Sequence, residues 1–342
     1  MRNTDDIPTV RDVAAHAQVS VGTVSRYLNG HKLRPVTKSK VESAINATGY
    51  RFSGSNGPSG RVQTRTIGAV FPRYDDFHVS VLSALDKILF REGYHMVTCE
   101  YDGDEDDMRD KLRLLRSRYA DGIICSPMTS SYGLQREVIE SGIPVVTYNN
   151  HVQDWQTDHV RVDDRQAVRK AVEYFIDLGH RDIAIISGTM RSTTGFDRVA
   201  GYRDAVQTAG IVERSDLLML DDWGLSESMA FDATRRLLSS AQAPTAIIGA
   251  HGRAGIGVLR YLRESGRRVP DDVSLICFDD SELFRLHHPS ITAIRQPAGT
   301  IAAELASLLF RRMNGDNEDR PLTRVVPTEL ILRESVRRIT DC

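Results

Sequence analysis

Apolar residues recur at helical spacing through the first fifty positions of this 342-residue chain, and from position 67 they recur in a different order. Val10, Val13, Ala14 and Ala17 stand at i, i+3, i+4 and i+7, one face of a helix. Thr9 occupies the N-cap position before them. Val21, Val24 and Leu28 form a second stripe behind Ser20, again an N-cap type, and only positions 18–20 separate the two runs. Two short helices joined so tightly predict a helix-turn-helix, whose second helix enters the major groove of DNA. Val41, Ala44, Ile45 and Thr48 make a third stripe, enough for a minimal three-helix core.

From position 67 onward short apolar runs alternate with helical patterns. A buried strand is expected at 67–71. A helix follows, carrying Val81, Leu82, Leu85, Ile88 and Leu89 and ending at Gly93. A strand at 95–101, a helix with Met108, Leu112, Leu115 and Tyr119, a strand at 122–127, a helix at 133–142 and a strand at 143–150 come next. The pattern then restarts: helix 165–180, strand 181–188, helix 197–210, then strands 245–251 and 273–280 around a helix at 254–266. Such alternation predicts parallel, doubly wound sheets, here in two lobes. Ligands of such folds bind outside the C-terminal strand ends, and two facing lobes make a cleft for a small molecule.

The stretch between these regions, FSGSNGPSGRVQ at 52–63, has three Gly, three Ser and one Pro in its first nine residues, so neither helix nor central strand forms cheaply there. It also marks a change of charge. Residues 1–66 hold ten Lys and Arg against four acids, a net +6, and the remainder carries −8 within an overall −2. A basic head on an acidic body is the asymmetry expected when one end alone meets a polyanion.

On the second helix the stripe leaves Gly22, Thr23, Ser25, Arg26 and Asn29 outside. Hydroxyls and an amide suit phosphate oxygens, and an arginine can fork onto guanine O6 and N7. Val21 is either part of the core or, in the first turn, a contact for a thymine methyl. Arg26 is either a base reader or a solvated charge. Thr9, Ser20 and Thr37 complete the expected DNA-contacting set.

These residues carry a family resemblance. TVRDVAAHAQVSVGTVSRYLNG, followed by AINATGYR, resembles the N-terminus of the LacI family of bacterial transcription regulators. LGHRDIAIISG, DRVAGYRDAV, VSLICFDDSEL, ITAIRQP and VPTELILRES are similar to its periplasmic-binding-protein-like sensor. The resemblance covers nearly the whole chain. It implies an all-α helix-turn-helix head at 1–52, a linker at 53–66, and an α/β effector-binding and dimerisation body at 67–342. The body's two doubly wound lobes are both discontinuous, at about 67–164 with 296–324 and about 165–295 with 325–342. It further implies a homodimer on double-stranded operator DNA and a small, sugar-like effector, with repression the expected sense. Asn149, Arg198, Trp223 and Asp279 match the family's pocket, and Phe77 is a plausible wall.

Two departures matter. His251-Gly252 stands where the family has Asn-Asp. His251 could bond the effector in its place, and a titration near neutral pH would make binding pH-sensitive or favour an acidic ligand; otherwise it is a solvent-facing loop residue. The linker has no Leu to wedge into the minor groove, and Pro58 interrupts it, so the family's hinge helix and DNA kink are not expected.

Other chemistry is thin. DGDEDD at 102–107 lacks EF-hand spacing, His287-His288 lacks a third ligand, and no P-loop, complete GxGxxG or Ser/His/Asp set is identifiable. No metal, cofactor or enzymatic activity is therefore expected. No apolar run reaches 18 residues and the first fifteen have no apolar stretch, so neither a membrane span nor a secretory signal is expected. Cys99, Cys125, Cys277 and Cys342 form no CxxC pair and fit a reducing cytoplasm. The rival readings are a solute-binding protein, a sugar-modifying enzyme on the same fold, and a regulator with a vestigial sensor.

Overall fold

The structure is a computed structural model that describes residues 9–28, 31–48, 64–116, 120–127, 142–152, 156–188, 190, 192–220, 226–316 and 320–339. The linker at 53–63, Asn29, Trp223, Tyr119 and all but the last residue of the helix expected at 133–142 lie outside these residues. The chain divides into two compact units, the first ending at Thr66 and the second starting at Ile67.

The first unit holds α1 (Val10–Ala17), α2 (Val21–Leu28) and α3 (Pro35–Thr48). Thr9 enters α1 in extended backbone, and its amide and hydroxyl both donate to Asp12 Oδ2, at 2.8 and 2.6 Å. Ser20 starts α2 by accepting from the Thr23 amide at 3.2 Å. Pro35 opens α3, where its missing N–H costs nothing. Val13, Ala14, Ala17, Val24, Val41 and Ala44 form the core. The Tyr27 hydroxyl ties α2 to α3 by donating to Glu42 at 2.7 Å. Val21 departs from the expected buried stripe, being 46% exposed. An eight-residue helix turns only a short stripe inward, here Val24 with Tyr27 and Leu28, and Val21 falls one turn outside it.

The second unit contains two six-stranded sheets. The first is built from β1 (Thr66–Phe71), β2 (His95–Glu100), β3 (Gly122–Cys125), β4 (Val145–Tyr148), β5 (Asp158–Val162) and the much later β11 (Thr323–Val326), in the order β11–β5–β4–β3–β1–β2. The second holds β6 (Ile183–Ser187), β7 (Leu218–Leu220), β8 (Ala246–Gly249), β9 (Ser274–Phe278), β10 (Thr292–Arg295) and β12 (Glu329–Ile331), in the order β12–β10–β9–β8–β6–β7. β12 departs from the parallel expectation. It pairs antiparallel with β10, because the chain returns from β11 through a short connection rather than a helical crossover. The chain crosses between sheets after β5, after β10 and after β11.

Helices α4 (Asp76–Arg91), α5 (Glu105–Leu114), α6 (Asp164–Asp177), α7 (Thr193–Thr208), α8 (Glu227–Leu238), α9 (Gly252–Glu264), α10 (Glu282–Leu286) and α11 (Ala298–Met313) cover the sheets. α11 packs on α4 over the first sheet, around Leu85, Leu89, Leu305 and Leu309. Separate apolar clusters fill both faces of the second sheet. Asp75, Asp104, Asp163, Ser192, Ser226 and Ser281 cap six of these helices, each accepting a first-turn amide. At α9 the cap position is His251, whose side chain makes no such bond. No described helix is long and apolar enough to cross a membrane.

Candidate functional site

A cavity of about 330 Å³ opens where the C-terminal strand ends of the two sheets converge. From the first sheet's side come Asp75 in the turn after β1, Phe77 and His78 in the first turn of α4, and Asn149 after β4. From the second come Arg198 in α7, His251 after β8, Asp279 after β9 and Gln296 after β10.

Arg198 is 6% exposed and held on three sides. Its Nε donates to Asp164 Oδ1 at 2.6 Å, its Nη1 donates to the Ala250 carbonyl at 2.6 Å, and its guanidinium lies 3.6 Å from the centre of the Phe278 ring. Nη2 has no partner among the described residues and remains available to a ligand. The ion pair is buried at both ends. Burial pushes the Asp164 carboxyl above its ordinary value, against the pull of Arg198.

Asp279 and Asn149 both adopt left-handed backbone, φ 69° and 66°. Asn and Asp tolerate that region better than other non-glycine residues, and here it turns a side chain off the end of a strand. Asp279 Oδ2 accepts the Gly252 amide at 3.0 Å, which supplies the cap that His251 does not, and Oδ1 accepts from Gln296 Nε2 at 2.7 Å. Each oxygen keeps a further lone pair. Burial raises the Asp279 carboxyl, with Arg198 pulling the other way.

His251 keeps a solvent-accessible edge on the cavity, but most of its surroundings are protein. Burial, reinforced by the Arg198 charge, pulls its pKa down to about 3. The expected titration near neutral pH is therefore corrected: this imidazole stays neutral across the neutral range and is a polar wall, not a pH switch.

On the head, Val21, Gly22, Ser25 and Arg26 are exposed along one side of α2, beside exposed Ser20 and half-buried Thr23. Arg26 makes no ion pair among the described residues. Thr37 is half-buried in the first turn of α3.

Comparisons with known proteins agree on both units. Residues 9–53 match the family of bacterial regulatory proteins, lacI family, and residues 172–336 match the periplasmic binding protein-like domain. Over 339 residues the chain is 31% identical to the HTH-type transcriptional regulator CelR of Thermobifida fusca, covering 96% of this chain and 98% of the relative. This chain belongs to the lacI family. The HTH-type transcriptional repressor PurR of Vibrio campbellii is 28% identical over 97% of this chain and 99% of its own. A solved structure described as a CelR–cellobiose complex superposes with a TM-score of 0.73 at 30% identity, over 96% of this chain and 99% of that one. The protein is thus a lacI-family transcription regulator with a DNA-binding domain and a periplasmic-binding-like body.

Of the pocket residues expected for this lacI-family chain, Phe77, Asn149, Arg198, His251 and Asp279 line the one cavity. Sequence reasoning missed His78, Glu227 and Gln296 on its walls. His78 is 5% exposed and sits among apolar helix positions, where it reads as core; its Nδ1 lies 2.8 Å from Asp75 Oδ1, and its Nε2 is buried without a partner among the described residues. Gln296 was visible in ITAIRQP, but only the tertiary contact with Asp279 reveals its use.

Proposed function

We propose that the cavity binds a neutral, polyhydroxylated effector of the sugar class, and that α2 reads operator DNA. The observation that carries the effector reading is Arg198 with Asp279: an unused donor and unused acceptor lone pairs face one cavity. A pair of sugar hydroxyls can accept from the one and donate to the other. Phe77 offers an apolar face, and Asn149 and His251 offer further polar contacts. Trp223 belongs to the proposal as a stacking partner on resemblance alone. Asp75, Asp76, Glu227 and Asp279 outnumber Arg198 and Arg253 on the walls, which favours a neutral ligand over a sugar acid or phosphate. The cellobiose bound to the CelR relative supports the sugar class.

A homodimer would carry two heads to half-sites set by the DNA helical repeat. Ser20, Thr23, Ser25 and Asn29, with Thr9 and Thr37, would meet backbone phosphates, while Val21 and Arg26 reach base edges. Gly22 has no side chain to read with, so discrimination at its base step would come from DNA shape.

The test is an anisotropy titration on the protein's own upstream DNA, with neutral mono- and disaccharides and with sugar acids. A neutral sugar should change specific affinity at least tenfold, about 1.4 kcal/mol of coupling. Specific binding that no sugar alters would overturn the effector half of the reading, and absence of specific binding would overturn all of it. Arg26→Ala should weaken specific binding by about 1–3 kcal/mol and relax one base position, with the head's helix content unchanged because Arg26 lies outside its core. A uniform loss on specific and random DNA would reassign Arg26 to phosphate.

A further inference from the structure

A second cavity of about 350 Å³ adjoins the first, sharing Asn149 and Thr194 with it. We propose that it is a separate ligand site for a small carboxylate bearing a hydrogen-bond donor on the adjacent carbon, an α-amino or α-hydroxy acid. This goes beyond the sugar reading and does not depend on it.

The lead observation is His159. It lines this cavity, is 2% exposed, and its Nε2 is buried with no partner among the described residues. Its Nδ1 lies 2.9 Å from Thr147 Oγ1, and that hydroxyl also reaches the Asp158 carbonyl at 3.2 Å. A carbonyl can only accept, so the single hydroxyl proton goes to Asp158 and the imidazole donates from Nδ1. Nε2 is then a bare acceptor, and leaving a buried acceptor unsatisfied costs stability. Burial, with His151 and Arg161 beside it, pulls the His159 pKa down to about 3, so the ring does not escape the deficit by protonation. The site lacks a donor that a ligand would bring.

Arg161 supplies the second need. It is half-buried and makes no ion pair among the described residues. It lines the cavity together with His151, His159 and Asp197. The first turn of α7, with Thr193 and Thr194, also lines the cavity and adds the positive end of a sixteen-residue helix. A carboxylate satisfies both.

Asp197, half-buried one turn further along the same helix, fixes what accompanies the carboxylate. Burial raises its carboxyl, with Arg161 opposing, and it makes no ion pair among the described residues. An ammonium next to the ligand's carboxylate would donate to both Asp197 and His159 Nε2, and a hydroxyl, with its single proton, to one of them, while the carboxylate forks onto Arg161. A neutral sugar offers the Arg161 guanidinium no carboxylate to fork onto. A phosphate dianion meets two carboxylates, Asp164 and Asp197. The volume is at the small end for ligand pockets.

The two cavities are mechanically joined. Asp164 lines the second, and its carboxylate grips Arg198 in the first. A ligand in one should therefore alter affinity in the other, and reciprocally.

The full-length protein should be titrated calorimetrically with glycine, L-serine, L-lactate and glycerate, against acetate, which lacks the donor, and glycerol, which lacks the carboxylate. One arm, amino or hydroxy, should bind at millimolar concentration, and both controls should fail. Arg161→Met should weaken that binding at least tenfold while the variant keeps its melting temperature and its response to sugar. If the Met variant does not fold, Arg161→Lys, which keeps the charge but loses the fork, reads the same contact. No binding by any acid overturns the proposal. So does binding that the Arg161 variants leave unchanged, or that a sugar displaces one for one, which would locate the acid in the first cavity. A sugar that fails to act on DNA while an acid still binds through Arg161 would sink the effector reading alone.

Discussion

Arg198→Met is expected to destabilise the protein by about 3–5 kcal/mol, because it leaves the Asp164 carboxylate buried without its partner. It also removes the donor to the Ala250 carbonyl and the cation over Phe278. The pH dependence separates this account from simple loss of packing. Burial already raises the Asp164 carboxyl above its ordinary value with Arg198 pulling against it, so without Arg198 it rises further. The folded state then holds a proton that the unfolded chain releases, and stability falls as pH climbs between the two pKa values. Urea midpoints at pH 5 and pH 8 check this: the deficit relative to the parent should be smaller at pH 5. An equal deficit at both would mean that packing, not the stranded charge, dominates. The variant should also lose effector binding, since the free Nη2 goes with the rest of the group.

The second large effect is expected at Asp280. Its side chain is 1% exposed and receives three arginines. Arg295 donates through Nε and Nη2 at 2.9 and 2.7 Å, Arg285 through Nη2 at 3.1 Å, and Arg333 through Nη2 at 2.7 Å. This one carboxylate gathers the end of β9, α10, β10 and the segment after β12, and it adjoins Asp279 in the cavity wall. Asp280→Ala should cost about 3 kcal/mol, chiefly by leaving the buried Arg333 without its counter-charge, because Arg295 and Arg285 keep Glu329 and Glu282. Here the pH window is the opposite one. Burial pushes the carboxyl up, but the bonds from Arg295, Arg333 and Arg285 hold it below its ordinary value. Its contribution is therefore complete above the unfolded carboxylate range, near pH 4, and is lost as pH falls through the folded value. Denaturation at pH 7 and pH 3 should show the gap between parent and variant narrowing in acid. A gap that stays constant would argue that the arginines are held by other partners.

The contrast between these two carboxylates shows where sequence reading runs out. Both are ordinary Asp residues next to another Asp, 163–164 and 279–280. One is raised by burial and one lowered by three guanidiniums, and neither environment has a local sign in the chain. Val21 carries the same lesson on a smaller scale. Its spacing from Val24 and Leu28 is that of a core stripe, yet whether a helix turn meets a partner depends on where the neighbouring helices end. The short strands β5, β7, β10, β11 and β12, of three to five residues, gave too little alternation to be read, and they complete both sheets.

What the sequence determined by itself is local. The helical stripes of α1 to α3, the caps Thr9 and Ser20, the Gly- and Pro-rich break, and the alternation of apolar strands with amphipathic helices follow from side-chain periodicity and backbone preference, both properties of neighbouring residues. The motif HTH pattern and the acidic body against a basic head were legible for the same reason. Tertiary structure alone decided which charges meet. Arg198 finds Asp164 34 residues away, and Asp279 finds Gly252 and Gln296 at separations of 27 and 17. It also decided that His251 and His159 stay neutral, and that a second cavity exists. Pairing, burial and desolvation are set by what the folded chain brings alongside a group, and that depends on distance in space, which periodicity along the chain does not encode.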